Sequence, residues 1–426
     1  MSPQRSPRIH PAWIVAAVGF LALVGAAGFR AAPSVMMVPL EQEFGWNRTT
    51  ISAAIGLNIL LYGLMAPFAA ALMARFGMRK VSTFALIMIA SGSALSTLVV
   101  SPWMLMMTWG FMIGLGTGSM AMVFAATITN TWFYARKGLV SGVLSAGSAT
   151  GQLVFLSTYA GLVETEGWRF VAILVALSAL AVVPLVLIFM KDSPAKAGVL
   201  RYGETPEIAA KVAAEEAANP TPSNPARYAL STLKEASKVK TFWALAIGFA
   251  ICGATTNGLI GAHFIPSAHD HGMPETTAAG LLAVVGIFDV FGTIASGWLT
   301  DRVNPRLLLA LYYFGRGVAL LLLPILLSDV IHPSLILFVV IYGLDWVATV
   351  PPTIAICNEV FGKKGPIVFG WVFASHQVGA SIATVVAGFI RDSTGEYTLA
   401  WFGAAALCAV AAWISFRIRK VPTPAN

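Results

Sequence analysis

The chain is short of charge and of cysteine. Only 11% of its 426 residues are Asp, Glu, Lys or Arg, less than half the roughly 25% found in a soluble domain. A water-soluble protein of this length could not be coated with so little polar surface. The three cysteines, Cys252, Cys357 and Cys408, all lie in apolar runs. An odd number in such places argues against a disulfide framework or a zinc site. A GK[ST] phosphate loop, a HExxH, a serine elbow and a paired-cysteine redox motif are all missing. Direct use of ATP and membrane-face enzymatic chemistry are therefore not expected, nor is a cofactor. Alternating strand-like runs are few, which excludes a transmembrane β-barrel.

Long apolar runs are abundant instead. Hydrophobic residues make up 57% of the chain, with a mean hydropathy of +0.78. A membrane-crossing helix needs about 20 mostly apolar residues. That ruler marks twelve spans: Pro11–Val38, Thr49–Ala74, Val81–Val100, Pro102–Ile128, Gly138–Tyr159, Trp168–Met190, Thr241–Ser267, Thr276–Thr300, Arg306–Ser328, Pro333–Cys357, Gly365–Ile390 and Tyr397–Phe416. The first is too long, and lacks a processing site, to be a removable signal. Lys191–Lys240, rich in Pro, Ala and charge, divides the spans six and six. The expected fold is an all-α membrane protein of two six-helix bundles, residues 1–190 and 241–426, joined by a linker at 191–240. Within the linker, PEIAAKVAAEEAAN reads as a short surface helix opening at its proline, and NPTPSNP as a flexible connector.

The net charge of +8 reports topology. With the N-terminus placed in the cytoplasm, only Arg48, Arg169 and Arg391 fall on the outer side, and Arg30 and Arg316 fall within spans. All other basic residues face inward, as the positive-inside rule requires. Both termini are thereby expected in the cytoplasm, in a multi-pass protein of the inner (plasma) membrane, with the bilayer and no nucleic acid as partner. A monomer is expected.

Two turns echo one another: AALMARFGMRK after the second span and SGWLTDRVNPR after the eighth. Such a repeat between halves suggests two similar bundles related by an axis along the membrane normal. On these turns and the six-loop-six plan, the chain resembles the major facilitator superfamily, whose signature there is roughly G-x-x-x-D-R-x-G-R-R/K. The second copy keeps Gly297, Asp301, Arg302 and Arg306. The first keeps Arg75, Gly77, Arg79 and Lys80, but Ala70 and Ala74 replace its glycine and aspartate. The resemblance implies that Arg75, Arg79, Asp301, Arg302 and Arg306 latch the cytoplasmic helix ends in one conformation. FGWNRTTISAA, NTWFYARKGLVSGVLSAGSATGQ and FASHQVGASIATVVAGFIRDSTGEYTLA are similar to bacterial members of the monocarboxylate and oxalate–formate porter branch. The glycine-proline element of drug antiporters is absent from AGSATGQ, and Gly110 occupies the place of a fourth-span arginine found in many proton-coupled members.

Ionisable residues inside spans cost about 2.5–3.5 kcal/mol each and usually face a polar interior. Five stand out: Arg30, Asp289, Arg316, Asp345 and His376, four of them in the C-terminal half. In one reading Arg316 pairs with Asp289 or Asp345 as a structural lock. In the other, two carboxylates around one guanidinium leave an acid free to carry a proton. The porter branch places an aspartate and, four residues on, an arginine in the eighth span. Asp289 matches the acid, the arginine falls on Thr293, and a first-span lysine falls on Ser34. Arg316 or Arg30 would then supply the missing cation, since a planar guanidinium grips a carboxylate by two parallel bonds. His376 is either a donor to a neighbouring carbonyl or a second proton group. His263 is a candidate outer gate, while His269 and His271 read as a solvated turn. In the N-terminal half Asn58 and Tyr62 share a face by i, i+4 spacing. With Gln152 they complete the expected cavity lining. The function expected is secondary transport of a small organic anion, a monocarboxylate, with a proton, by alternating access. The alternative is a proton-coupled exporter of a hydrophobic or drug-like compound.

Overall fold

The computed structural model describes residues 9–120, 122–211 and 224–419. Among them, ten helices are long and apolar enough to cross a membrane. Met78–Ser96 and Lys137–Glu166 fill the third and fifth places, which completes twelve. In chain order these are α1 (Pro11–Phe44), α2 (Arg48–Phe76), α3 (Met78–Ser96), α4 (Pro102–Trp132), α5 (Lys137–Glu166) and α6 (Trp168–Phe189). The second set is α7 (Lys240–Asp270), α8 (Glu275–Thr300), α9 (Pro305–Leu326), α10 (Pro333–Phe361), α11 (Gly365–Thr394) and α12 (Thr398–Arg417).

Local chemistry sets the helix ends. The His10 ring accepts from Ala12 N at 3.2 Å, Pro11 opens α1, and Gly45 closes it at φ 65°. Asn47 Oδ1 caps α2 through Thr50 N at 2.9 Å. Such caps satisfy the first N–H groups, which no helix can satisfy itself. Gly77, between α2 and α3, holds φ 89°, and a Cβ there would collide with the Asp192 carboxylate. Only glycine tolerates both demands.

The first six helices form one bundle, with α1 on α5 and α3 on α6. The second six form another, with α9 on α12 and α7 on α11. The halves meet along α2 and α11, and α5 and α8. On the face opposite the basic turns, the far ends of α1 and α7 also meet. On the basic face the last segments of α4 (Met122–Trp132) and α10 (Val350–Phe361) pack chiefly within their own halves. The halves are therefore joined on the face opposite the basic turns.

The linker docks on the basic face. Tyr202 bridges to Phe133 and stacks edge-on with Trp13 and His10. Residues 206–211 are helical; the rest of PEIAAKVAAEEAAN and most of NPTPSNP lie outside the described residues. A further helix, Pro225–Ala236, touches both α2 and α11, with Trp371 Nε1 donating to Ala229 O at 3.0 Å.

Candidate functional site

The structure sorts the intramembrane charges into two separate centres. The first is in the N-terminal half. Arg30 of α1 donates from Nη1 to Tyr62 Oη at 3.2 Å and lies 5.6 Å from that ring's centre. Both border a small pocket of about 10 Å³, room for about one water, otherwise lined by Leu23, Ala26, Ala27, Thr117 and Met120. One turn before Tyr62, Asn58 is buried and donates to Trp109 O at 2.7 Å. Trp109 belongs to a π-helical stretch, Met106–Ile113. Such a stretch leaves carbonyls poorly served within its own helix, and Asn58 takes one of them. Arg30, Tyr62 and Asn58 are thus brought to one side of α2. The side chain of Gln152 lies outside the described residues.

The second centre surrounds a break in α10. This helix runs regularly to Asp345, turns, and resumes at Val350. Pro351 and Pro352 explain the break, since neither has an N–H to give the preceding turn. Several backbone groups at the break find partners from neighbouring helices. Arg316 Nη2 donates to the Asp345 carbonyl at 2.7 Å and the Trp346 carbonyl at 3.3 Å. Ser296 Oγ donates to Ala348 O at 2.5 Å. Val347 N donates to Asp289 Oδ1 at 3.0 Å, and Thr293 Oγ1 donates to the same oxygen at 3.0 Å. Backbone that leaves a helix within lipid must be served this way.

Arg316 is 1% exposed and fully engaged. Besides those carbonyls, Nε donates to Asp345 Oδ2 at 2.6 Å and Nη1 to Cys252 Sγ at 2.9 Å. The rings of Tyr313 and Tyr342 lie 5.9 and 6.0 Å from its carbon centre. Asp345 Oδ1 is buried and has no hydrogen-bond partner among the described residues. Of the two aspartates, Asp345 thus pairs with the guanidinium, while Asp289 bonds backbone and Thr293. His376 lies on α11, stacked on Phe373 and against Phe249, with Nδ1 buried and without a hydrogen bond among the described residues.

Among the described residues, the turn residues occupy the basic face without bridging the halves. Arg306 grips Glu359 of α10 through two bonds, at 3.0 and 2.9 Å, inside its own half. Arg302 turns back to Trp298 O at 3.0 Å and covers that ring. Asp301 is exposed, as are Arg75, which lies over Phe76, and Arg79, whose backbone N–H meets Asp192 at 3.0 Å. His271 bonds Ser267 O at 2.7 Å, and no metal-binding cluster occurs among the described residues.

The profile of the major facilitator superfamily matches residues 18–366. The chain belongs to that superfamily. Among similar proteins, the uncharacterised transporter YcxA of Bacillus subtilis (strain 168) is 24% identical over 424 residues, covering 98% of this chain and 96% of the relative. Monocarboxylate transporter 13 of Bos taurus is 26% identical over 371 residues, 84% of this chain and 77% of that one. The fold is similar to a bacterial homolog of the human lysosomal transporter Spinster in an inward-facing, unoccupied conformation. That likeness has TM-score 0.73 and 15% identity, over 96% and 97% of the two chains. A D-xylose-proton symporter aligns at TM-score 0.71 and 12% identity, over 96% and 98%. This superfamily member is thus a multi-pass membrane transporter.

Sequence reasoning passed over Arg48, Asp270, Asp392 and Tyr397, which meet on the face opposite the basic turns. Arg48 sits at the first position of α2 beside the cap residue Asn47, so it read as a loop charge. Cys252 and Ser296 were also missed as partners of the broken helix, because a lone thiol or hydroxyl in an apolar run carries no spacing signal.

Proposed function

We propose that this transporter moves a small organic anion, a monocarboxylate, with a proton, by alternating access of its two halves. The observation that carries this reading is Arg30 with Tyr62 beside a small pocket, which would have to widen for substrate, whose other walls are apolar or small. A guanidinium against an apolar lining suits a molecule with one carboxylate and a short hydrocarbon body. Arg316, the other sequence candidate, is poorly placed to hold a substrate, because its Nε and both terminal nitrogens already serve Asp345, Cys252 and Trp346. The relatives named as monocarboxylate transporters support the substrate class, and the symporter among the structural neighbours supports proton coupling. Asp289 and Asp345 are the proposed proton carriers, with His376 of α11 as a further candidate. The charge asymmetry supports a cytoplasmic basic face in the plasma membrane. When that face closes, Arg75, Arg79, Asp301, Arg302 and Arg306 would form the latch.

Uptake by reconstituted vesicles tests the proposal. Acid-stimulated accumulation of a labelled monocarboxylate should fall by about tenfold or more in Arg30→Ala, since a charged hydrogen bond contributes roughly 1.5–3 kcal/mol and 1.4 kcal/mol is tenfold. Unchanged uptake in Arg30→Ala and in Arg30→Ala/Arg316→Ala would remove the anion reading and leave the proton-coupled exporter.

A further inference from the structure

We infer that the face opposite the basic turns is held shut by a charged clasp centred on Arg48, and that undoing it opens the substrate route on that side. This rests on alternating access, and not on which substrate is carried.

Arg48 belongs to the N-terminal half, yet most of its partners belong to the other. Its two terminal nitrogens donate to the two carboxylate oxygens of Asp270, at the end of α7, both at 2.7 Å. Nη1 also donates to Tyr397 Oη at 3.1 Å, ahead of α12, and Nε donates to Glu41 Oε2 at 2.9 Å. Arg391 of α11 joins Asp270 from its own side at 2.7 Å. Despite standing at a helix end, Arg48 is only 3% exposed. A second tie runs through the backbone. Asp392 of α11 accepts from Arg48 N at 3.1 Å and Thr49 N at 2.8 Å, and from the Thr49 hydroxyl. The first N–H groups of α2 are thus capped from the opposite half of the molecule. Tyr397 carries the network inward, because its hydroxyl meets His263 Nδ1 at 3.0 Å and His263 Nε2 meets Thr384 O at 2.8 Å. Beneath it, Gly388 lies against Ser52 and the Arg48 backbone, and Gly56 against Ser381.

The chemistry suits a reversible closure. Every group freed on opening is charged or a hydrogen-bond donor at the membrane–water boundary, so water can replace each lost partner. A desolvated ion pair lies near break-even against its hydrated parts, which keeps the two states within reach of a ligand's differential binding. An apolar seal at the same place would not have that property. Glu41, Asp270 and Asp392 face Arg48 and Arg391, so the charges nearly balance when shut.

The test uses Ser381→Cys, under the clasp at the α2–α11 contact, in the full chain in membrane vesicles of known orientation. The native cysteines are buried. A membrane-impermeant maleimide is applied from the side of Arg48. Both Arg48→Gln and Asp392→Asn should raise the labelling rate about tenfold, within the usual range of coupling between two global states. The charge-swapped pair Arg48→Asp with Asp270→Arg should bring it part of the way back. Two variants on different ties guard against one that fails to fold. Equal labelling in the parent and both variants would overturn the clasp while leaving alternating access standing, since labelling itself reports opening. No labelling in any of them would overturn both.

Discussion

Arg316 and Asp345 are joined twice, once from Nε to the carboxylate at 2.6 Å and once from Nη2 to the main-chain carbonyl at 2.7 Å. The second bond explains why a permanent cation sits in the middle of α9. It supplies donors to a helix that two prolines have interrupted, at a depth where water cannot. The same break draws in Asp289 through Val347 N. The intramembrane charges of the C-terminal half are therefore partners of backbone as much as of one another.

Removing the cation should unfold that region first. Arg316→Ala leaves a buried carboxylate without its donor and takes one donor from each of two carbonyls, a loss of about 3–5 kcal/mol by analogy with other broken buried pairs. Arg316→Lys keeps the charge but not the planar fork, and should recover only part of it. Thermal unfolding in detergent reads both, and an Arg316→Ala protein as stable as the parent would contradict the stitching role.

Tyr62→Phe separates the hydroxyl from the ring. The Arg30 guanidinium loses the acceptor at 3.2 Å but keeps the aromatic face. A hydrogen bond to a charged group contributes roughly 1.5–3 kcal/mol, so anion affinity should shift by about tenfold. The expected signature is a raised KM in vesicle uptake with little change in thermal stability.

Close approach of α7 and α11 depends on Gly253. A Cβ there would meet the main-chain carbonyl of His376, which cannot swing aside as a side chain could. Gly253→Ala should cost about 1–3 kcal/mol by overpacking and lower the yield of folded protein. Gly280→Ala is the control, because nothing lies within 4 Å of its Cβ position. Equal losses in both would show that helix packing is not the cause.

Asp192 gives a pH-dependent contact outside the membrane. Burial alone would raise its carboxyl, but the Lys196 side chain and the Arg79 backbone N–H outweigh this and hold it below the usual range. A depressed folded value stabilises above the ordinary carboxylate range, near about 4, and the benefit fades as pH falls through the folded value. The stability gap between the parent and Asp192→Asn should thus be constant from neutral pH down to about 5 and shrink below about 4. Unfolding midpoints across that series check it, and a gap that widens in acid would refute it.

Most of the fold could be read along the chain. Apolar runs of about 20 residues have one way to satisfy their backbone in lipid, and each of the twelve long helices overlaps an expected span. The main differences are at helix ends. α1 continues to Phe44 and α5 to Glu166, because caps such as Gly45 and Gly167, not the loss of apolar character, stop them. The list of intramembrane charges was equally legible, since a charge in an apolar run is conspicuous. Their grouping was not. Arg30 and Arg316 looked interchangeable as anion holders, yet one borders a cavity and the other is sealed against a broken helix.

By itself the sequence determined the long apolar helices, their two-fold division and the gathering of basic residues at one end of them, because these follow from local hydropathy and charge. Tertiary structure alone decided which charges meet. Arg48 stands 222 residues from Asp270 and 344 from Asp392. Contacts at such separations are set by how two bundles lie against each other, and hydropathy along a chain carries no record of that.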